Sequence, residues 1–152
     1  MEFFESLEQK CRNLVEGKNF LNDPEPITAI KRQIQLLLHE LDGSRNSFNT
    51  QFKRLEKKRL EIESEKLNLA PQPNHSMEIW RDRKQMANSL NYTLSQIEQS
   101  VGYLVSDYNR KMTEIKSRLL NEWNNWVQVA PDYSVGGAGA SESGGERFDA
   151  TN

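Results

Sequence analysis

Long apolar runs, cysteine and histidine are all scarce in this sequence. Hydrophobic residues make up only 36% of the chain, and no stretch reaches the roughly 18 to 20 uncharged apolar residues that a membrane span requires. We therefore expect no direct membrane insertion. With one cysteine, Cys11, the chain forms no internal disulfide, which fits a reducing compartment. The only histidines, His39 and His75, form no arrangement that resembles a zinc site, so we expect no metal.

A strong charge of one sign is also absent, because 20 Lys and Arg residues nearly balance 22 Asp and Glu residues. The net charge of −2 creates no global field that would attract nucleic acid or an anionic membrane. The charged run at 53–66 mixes both signs, which is typical of the solvated flank of a coiled coil. The glycines at 136–145 lack the strand and helix that frame a phosphate-binding loop. We expect no enzyme activity, no cofactor and no nucleic-acid partner.

What the sequence does contain is helical periodicity. A short first helix, about residues 3–17, has apolar residues at spacings of three and four, namely Phe4, Leu7, Cys11 and Leu14. A second helix, about residues 24–69, begins where Asp23 offers an N-cap acceptor before Pro24. Its apolar residues recur at every seventh position: Ile27, Ile34, Leu41, Phe48, Leu55, Ile62 and Leu69. We interpret Gly43 as a tolerated glycine inside this helix, because the heptad phase continues across it.

A connector at 68–76 contains two prolines that end the second helix, and Ser76 is the expected N-cap of a third helix, about residues 76–128. This helix keeps a heptad pattern from Trp80 to Tyr108, with Arg83 as the exception. The Gly/Ser-rich residues 131–152 are expected to form a disordered tail. The predicted fold is therefore all-α. It is an elongated coiled-coil helical hairpin with a short N-terminal helix, and it forms one domain over residues 1–130.

The third helix has a fuller apolar face than the second, whose companion positions become polar after Leu37. We therefore expect the third helix to contact partner helices in addition to the second helix. The candidate partner-interface residues are Leu90, Leu94, Ile97, Val101, Leu104, Tyr108, Met112, Ile115, Leu119, Trp123 and Trp126. For the three tryptophans two interpretations remain open, which are core packing within the hairpin and contact with another subunit.

The segment LVSDYNRKMTEIKSRLLNEW, residues 104–123, resembles the dynactin subunit 3 family, the small light subunits of the dynactin shoulder. The shared features are an aliphatic pair and an acid followed, in step, by Tyr108-Asn109, Met112, Ile115, Leu119 and Trp123. The N-terminal half is similar in layout, with a short helix at 7–20 and AIKRQIQLLL at 29–38. The connector looks shorter than that of the family, and the tail has no counterpart in it.

This resemblance implies a non-catalytic structural subunit that bundles with dynamitin and the large arm subunit of dynactin. Such a subunit links the arm to the filament and supports dynein-driven microtubule transport and mitosis. The implied location is cytoplasmic and cytoskeleton-associated, at the centrosome, spindle and kinetochore. The alternative is a coiled-coil scaffold subunit of another assembly, such as a kinetochore, spindle or organelle-tethering complex. A vesicle-surface helix is disfavoured, because neither end of the sequence carries a lipidation signal.

Overall fold

A computed structural model describes residues 2–17, 20, 22–70 and 72–134, without the side chains of residues 2 and 131–134. Over this part the chain forms three α-helices and no strand: α1 (Glu2–Val15), α2 (Glu25–Asn68) and α3 (Met77–Ser134). The predicted all-α class is confirmed. The chain divides into two compact units, which are described in turn. The three-helix unit comprises residues 1–44 and 110–152, and the hairpin unit comprises residues 45–109.

The helix boundaries follow the periodicity closely, with one difference. α1 and α2 begin and end within two residues of the predicted positions, and α2 continues through Gly43 without a break. α3 ends at Ser134, six residues beyond its predicted end. Ala130 is only 1% exposed, so the buried face of α3 extends past Trp126 and holds the last turns in the helix despite Pro131. Residues 135–152 of the predicted disordered tail lie outside the described residues.

The three-helix unit contains most of the buried apolar side chains of the described chain. α1 contributes four of them, Leu7, Cys11, Leu14 and Val15. Phe20 lies in the link between α1 and α2, and the remaining positions come from the first half of α2 and the C-terminal part of α3, namely Ile27, Ile34, Leu37, Leu38, Leu41, Met112, Ile115, Leu119, Trp123, Trp126 and Ala130. Burial of one large side chain contributes about 1.5–3 kcal/mol. The short α1 therefore completes a core that two helices alone would leave open.

One ion-pair cluster, centred on Arg12, fixes the position of α1 in this unit. The Arg12 guanidinium donates to both carboxylate oxygens of Asp42 on α2, at 2.7 and 3.2 Å. It also pairs with Glu8 on α1 and with Glu16, the residue that follows the end of α1. These hydrogen bonds raise the pKa of Arg12, that with Asp42 most strongly. A planar guanidinium suits this forked geometry, which links the outer face of α1 to α2.

The link between α1 and α2 is held by a buried lysine that the sequence pattern did not reveal. Lys31 is 9% exposed, and its Nζ donates to Asp23 Oδ2 at 2.9 Å. The same Nζ lies 5.5 Å from the ring centroids of Phe20 and Trp126. The Thr28 hydroxyl lies 3.3 Å from the carbonyl oxygens of both Phe20 and Asp23. The carboxylate and the aromatic faces together compensate the ammonium for the water it has lost.

The hairpin unit has a much thinner core than the three-helix unit. Its two helix segments face each other through Phe48 of α2 and Tyr108 of α3, whose rings stack with centroids 4.3 Å apart. This contact confirms the predicted hairpin packing of α2 against α3. Among the described residues of 45–109 only Ile62 and Ile97 are buried hydrophobic residues, although the seven-residue row of α2 and most heptad positions of α3 are apolar there. We call the apolar heptad residues of α2 and α3 in this unit the seam. Two helices alone cannot cover this seam on both sides, so most of its side chains stay half-exposed.

Candidate helix-docking site

The predicted partner-interface residues fall into two sets with different environments. Five lie in the three-helix unit, where they are 0–7% exposed: Met112, Ile115, Leu119, Trp123 and Trp126. Packing within the chain accounts for this burial, because α1 supplies the third layer there. The other six lie in the hairpin unit, and all except Ile97 are half-exposed: Leu90, Leu94, Ile97, Val101, Leu104 and Tyr108. Only this second set can present an apolar surface to a partner protein without disrupting the core.

Exposed apolar side chains concentrate in the hairpin unit. Among the described residues, ten large hydrophobic side chains are exposed, and only Leu36 belongs to the three-helix unit. The nine in the hairpin unit are Leu60, Leu67, Met77, Ile79, Trp80, Met86, Tyr92, Tyr103 and Val105. Single exposed hydrophobic residues are ordinary on protein surfaces, whereas a concentration of them marks an interaction surface.

The connector end of the hairpin unit contains an open groove of about 840 Å³. Its floor is apolar and consists of Leu67, Leu69, Ala70, Trp80, Ala87 and Leu94. Its rim carries Glu63, Lys66, Arg83 and Lys84. The groove has two causes. α2 ends at Asn68, and α3 has the small side chain of Ala87 at a heptad position that is occupied by Trp80 in the heptad before it and by Leu94 in the heptad after it. This end of the apolar face is therefore open above its floor.

The connector holds one side chain of this groove in a fixed orientation. The carbonyl oxygen of Gln72 accepts hydrogen bonds from the His75 backbone N–H at 3.0 Å and from Trp80 Nε1 at 3.1 Å. His75 Nδ1 in turn accepts from the Gln72 N–H at 3.2 Å. Ser76 Oγ accepts from the Ile79 N–H, as predicted for the N-cap of α3. The indole N–H of Trp80 is thus satisfied within the chain while 44% of the residue remains exposed.

Arg83, the exception in the heptad pattern of α3, also belongs to this end. Its Nη1 donates to the carbonyl oxygen of Asn68 at 2.9 Å, which satisfies one of the carbonyls left open where α2 ends. The sequence showed a charged residue at an apolar position but could not show which carbonyl it would reach. Arg83 therefore closes the end of α2 and adds positive charge to the groove rim.

Positive charge dominates the rest of the rim. Its one carboxylate, Glu63, accepts a hydrogen bond from Arg59 at 2.9 Å. The same Arg59 bonds Glu56 and thereby lowers the pKa of that carboxyl. Lys66 and Lys84 form no ion pair with any residue of the described chain. Two unpaired ammonium groups and Arg83 thus border an apolar floor.

Other chemical roles find little support in the described residues. Cys11 is 0% exposed, and burial raises the pKa of its thiol to about 12, so it stays protonated near neutral pH. No group of three or more His, Cys, Asp or Glu residues could hold a metal ion within the described ranges. Over the same ranges, no helix is long and apolar enough to cross a membrane. No family model, curated protein sequence or solved structure significantly matches this chain.

Proposed function

We propose that this chain is a non-catalytic structural subunit that joins a larger assembly by packing partner helices against its hairpin unit. The observation that carries the proposal is the contrast between the two units. The three-helix unit encloses most of its apolar side chains, whereas the hairpin unit, over its described residues, encloses only Ile62 and Ile97 and exposes nine large hydrophobic residues. A helical partner on this unit would supply the layer that α1 supplies in the other.

We further propose that the assembly is dynactin, with dynamitin and the large arm subunit as partners. The support is the resemblance of residues 104–123 to the dynactin subunit 3 family, and part of this segment lies on the open seam. In that role the chain would help link the arm to the filament and support dynein-driven transport and mitosis. Its location would then be cytoplasmic and cytoskeleton-associated.

Affinity purification of the full chain from cytosol, followed by mass spectrometry, tests this proposal. We expect dynamitin and the large arm subunit to be recovered. A matched pair of variants tests whether the seam is required for recovery of these partners. Leu104→Asp places a charge on the half-exposed seam and should abolish recovery, because an unpaired charge in a desolvated interface is costly. Ser106→Asp, on an exposed position two residues away, should leave recovery unchanged.

The outcome separates the proposal from its alternative. Recovery of kinetochore, spindle or tethering proteins in place of dynactin subunits would keep the structural role and reject the assembly named here. Recovery of no partner by the wild-type chain, or equal recovery by the Leu104→Asp variant, would reject the role of the seam.

A further inference from the structure

We propose that the groove at the connector end binds one amphipathic partner helix whose apolar face is flanked by acidic residues. The inference rests on the proposed function, since it specifies the chemistry of one helix that the hairpin unit takes. It goes beyond that function because the groove has its own floor, rim and charge. The other possible occupants are a second copy of the chain, its own residues 135–152 and a lipid surface.

The dimensions of the floor suit a helix of about four turns. The α3 side of the floor runs from Trp80 to Leu94, which corresponds to about 21 Å at 1.5 Å per residue. The α2 side of the floor contributes Leu67, which is 77% exposed. A helix presenting apolar residues at i, i+3 or i+4 and i+7 would lie along this floor and cover both ends of it.

Trp80 is prepared to act as the anchor of such a contact. Its N–H already donates to Gln72 O, so a partner need not provide an acceptor for the indole when it covers the ring. The hydrogen bond also restricts the ring before binding, which reduces the conformational entropy lost on association. Large aromatic residues held in this way are typical centres of binding energy at interfaces.

The rim decides the charge of the partner. Lys66 and Lys84 have no ion-pair partner in the described chain, and Arg83 adds a third positive charge. The opposing Glu63 is already bonded to Arg59. Acidic residues beside the apolar face of the incoming helix would meet this rim favourably, whereas basic residues would be repelled.

Two fluorescent peptides of 18 residues test the proposal with the full chain. Both carry leucine at heptad positions a and d, and they differ only in having glutamate or lysine at e and g. Fluorescence anisotropy at low salt should show that the glutamate peptide binds about tenfold more tightly. The difference should shrink at high salt because these rim charges are exposed.

Three variants locate the binding on the chain. Ala87→Leu fills the floor and should weaken binding of the glutamate peptide by at least about tenfold, because it removes space without removing charge. The double variant Lys66→Glu/Lys84→Glu should reverse the preference between the peptides. Its matched control is Lys53→Glu/Lys57→Glu, which changes two exposed lysines of the hairpin unit outside the groove and should keep the preference. Circular dichroism verifies that each variant retains its helices.

A photo-crosslinking residue at Leu67 distinguishes the occupants. We expect it to capture the glutamate peptide. Capture of a second copy, capture of the chain's own residues 135–152, or flotation with anionic vesicles that Ala87→Leu abolishes, would overturn the proposal. Equal binding of the two peptides, or no binding of either, would also overturn the proposal.

These outcomes can be distinguished from failure of the proposed function. If the proposal on the groove is overturned while dynamitin is still recovered by the wild-type chain, only this inference fails. If the peptide preference holds while no assembly partner is recovered, the proposed function fails.

Discussion

At the scale of single residues, three charged side chains hold the ends and links of the helices in place. Arg12 joins α1 to α2 through Asp42, Lys31 holds the link before α2, and Arg83 closes the end of α2. Each has a long side chain that reaches a partner outside its own helix. Sequence periodicity assigns a residue to a face of its helix, but it does not identify the distant oxygen that the end of its side chain will meet. These contacts therefore became visible only with the structure.

Arg12→Ala should lower the free energy of unfolding by about 1–3 kcal/mol, because Arg12 is only 17% exposed and joins two helices through charged hydrogen bonds. Urea unfolding of the full chain measures the change. Arg118→Ala is the control, since the Arg118–Glu114 pair is 60% and 54% exposed and should contribute about 0.5 kcal/mol or less. Equal effects of the two substitutions would contradict the structural role of Arg12.

Cys11 should be protected from alkylation in the folded chain. Burial raises its pKa from 9.0 to about 12, so at pH 8 the folded protein contains roughly 10³-fold less thiolate than an unfolded one. Iodoacetamide labelling followed by mass spectrometry should therefore be slower by at least that factor in buffer than in urea. Rapid labelling in buffer would show that α1 does not cover this thiol.

At the scale of secondary-structure elements, the seven-residue pattern was a reliable guide to where α1 and α2 lie. It was less informative about the end of α3, because Pro131 indicates a helix end whereas the burial of Ala130 opposes one. The docking groove could not be predicted at all. It depends on where the end of α2 lies relative to Ala87 on α3. Periodicity within each helix does not show how the two helices are aligned along their length.

Gly43→Ala should raise the free energy of unfolding by about 0.5–1 kcal/mol. Gly43 lies inside α2, and an added Cβ would meet nothing within 4 Å, so alanine gains helix propensity at no steric cost. Gly17→Ala is the opposing control. Gly17 has a φ of +67° at the end of α1, where a Cβ is strained, and the substitution should lower the free energy of unfolding by about 1 kcal/mol. Thermal melts of both variants would test these opposite signs.

At the scale of the whole molecule, the buried apolar side chains are unevenly divided between the units. Fifteen buried apolar side chains belong to helices in the three-helix unit, and two belong to the hairpin unit. The sequence had shown the mismatch between its second and third helices, but its candidate interface ran without distinction from Leu90 to Trp126, and this range includes the end from Met112 to Trp126, which is buried within the chain. α1 covers that end, and the open surface lies on the earlier part of α3 instead.

Hydrogen exchange should show this division directly. Helix amides at 48–66 and 80–105 should exchange at least about tenfold faster than those at 28–41 and 112–128, because local opening costs less where few apolar side chains are buried. Mass spectrometry of peptides from the full chain measures both sets. Addition of the acid-flanked peptide should slow exchange at 63–94 and leave 112–128 unchanged. Uniform exchange along the chain would contradict the division.

The position of Trp80 in the groove also makes its occupancy measurable by tryptophan fluorescence. Trp123 and Trp126 are 0% and 2% exposed, so their emission should stay at short wavelength whether or not the groove is filled. Trp80 is 44% exposed and contacts water, and its emission should lie to the red. A helix that covers the ring would shift only this component to the blue. The unlabelled wild-type chain would therefore report occupancy of its own docking site.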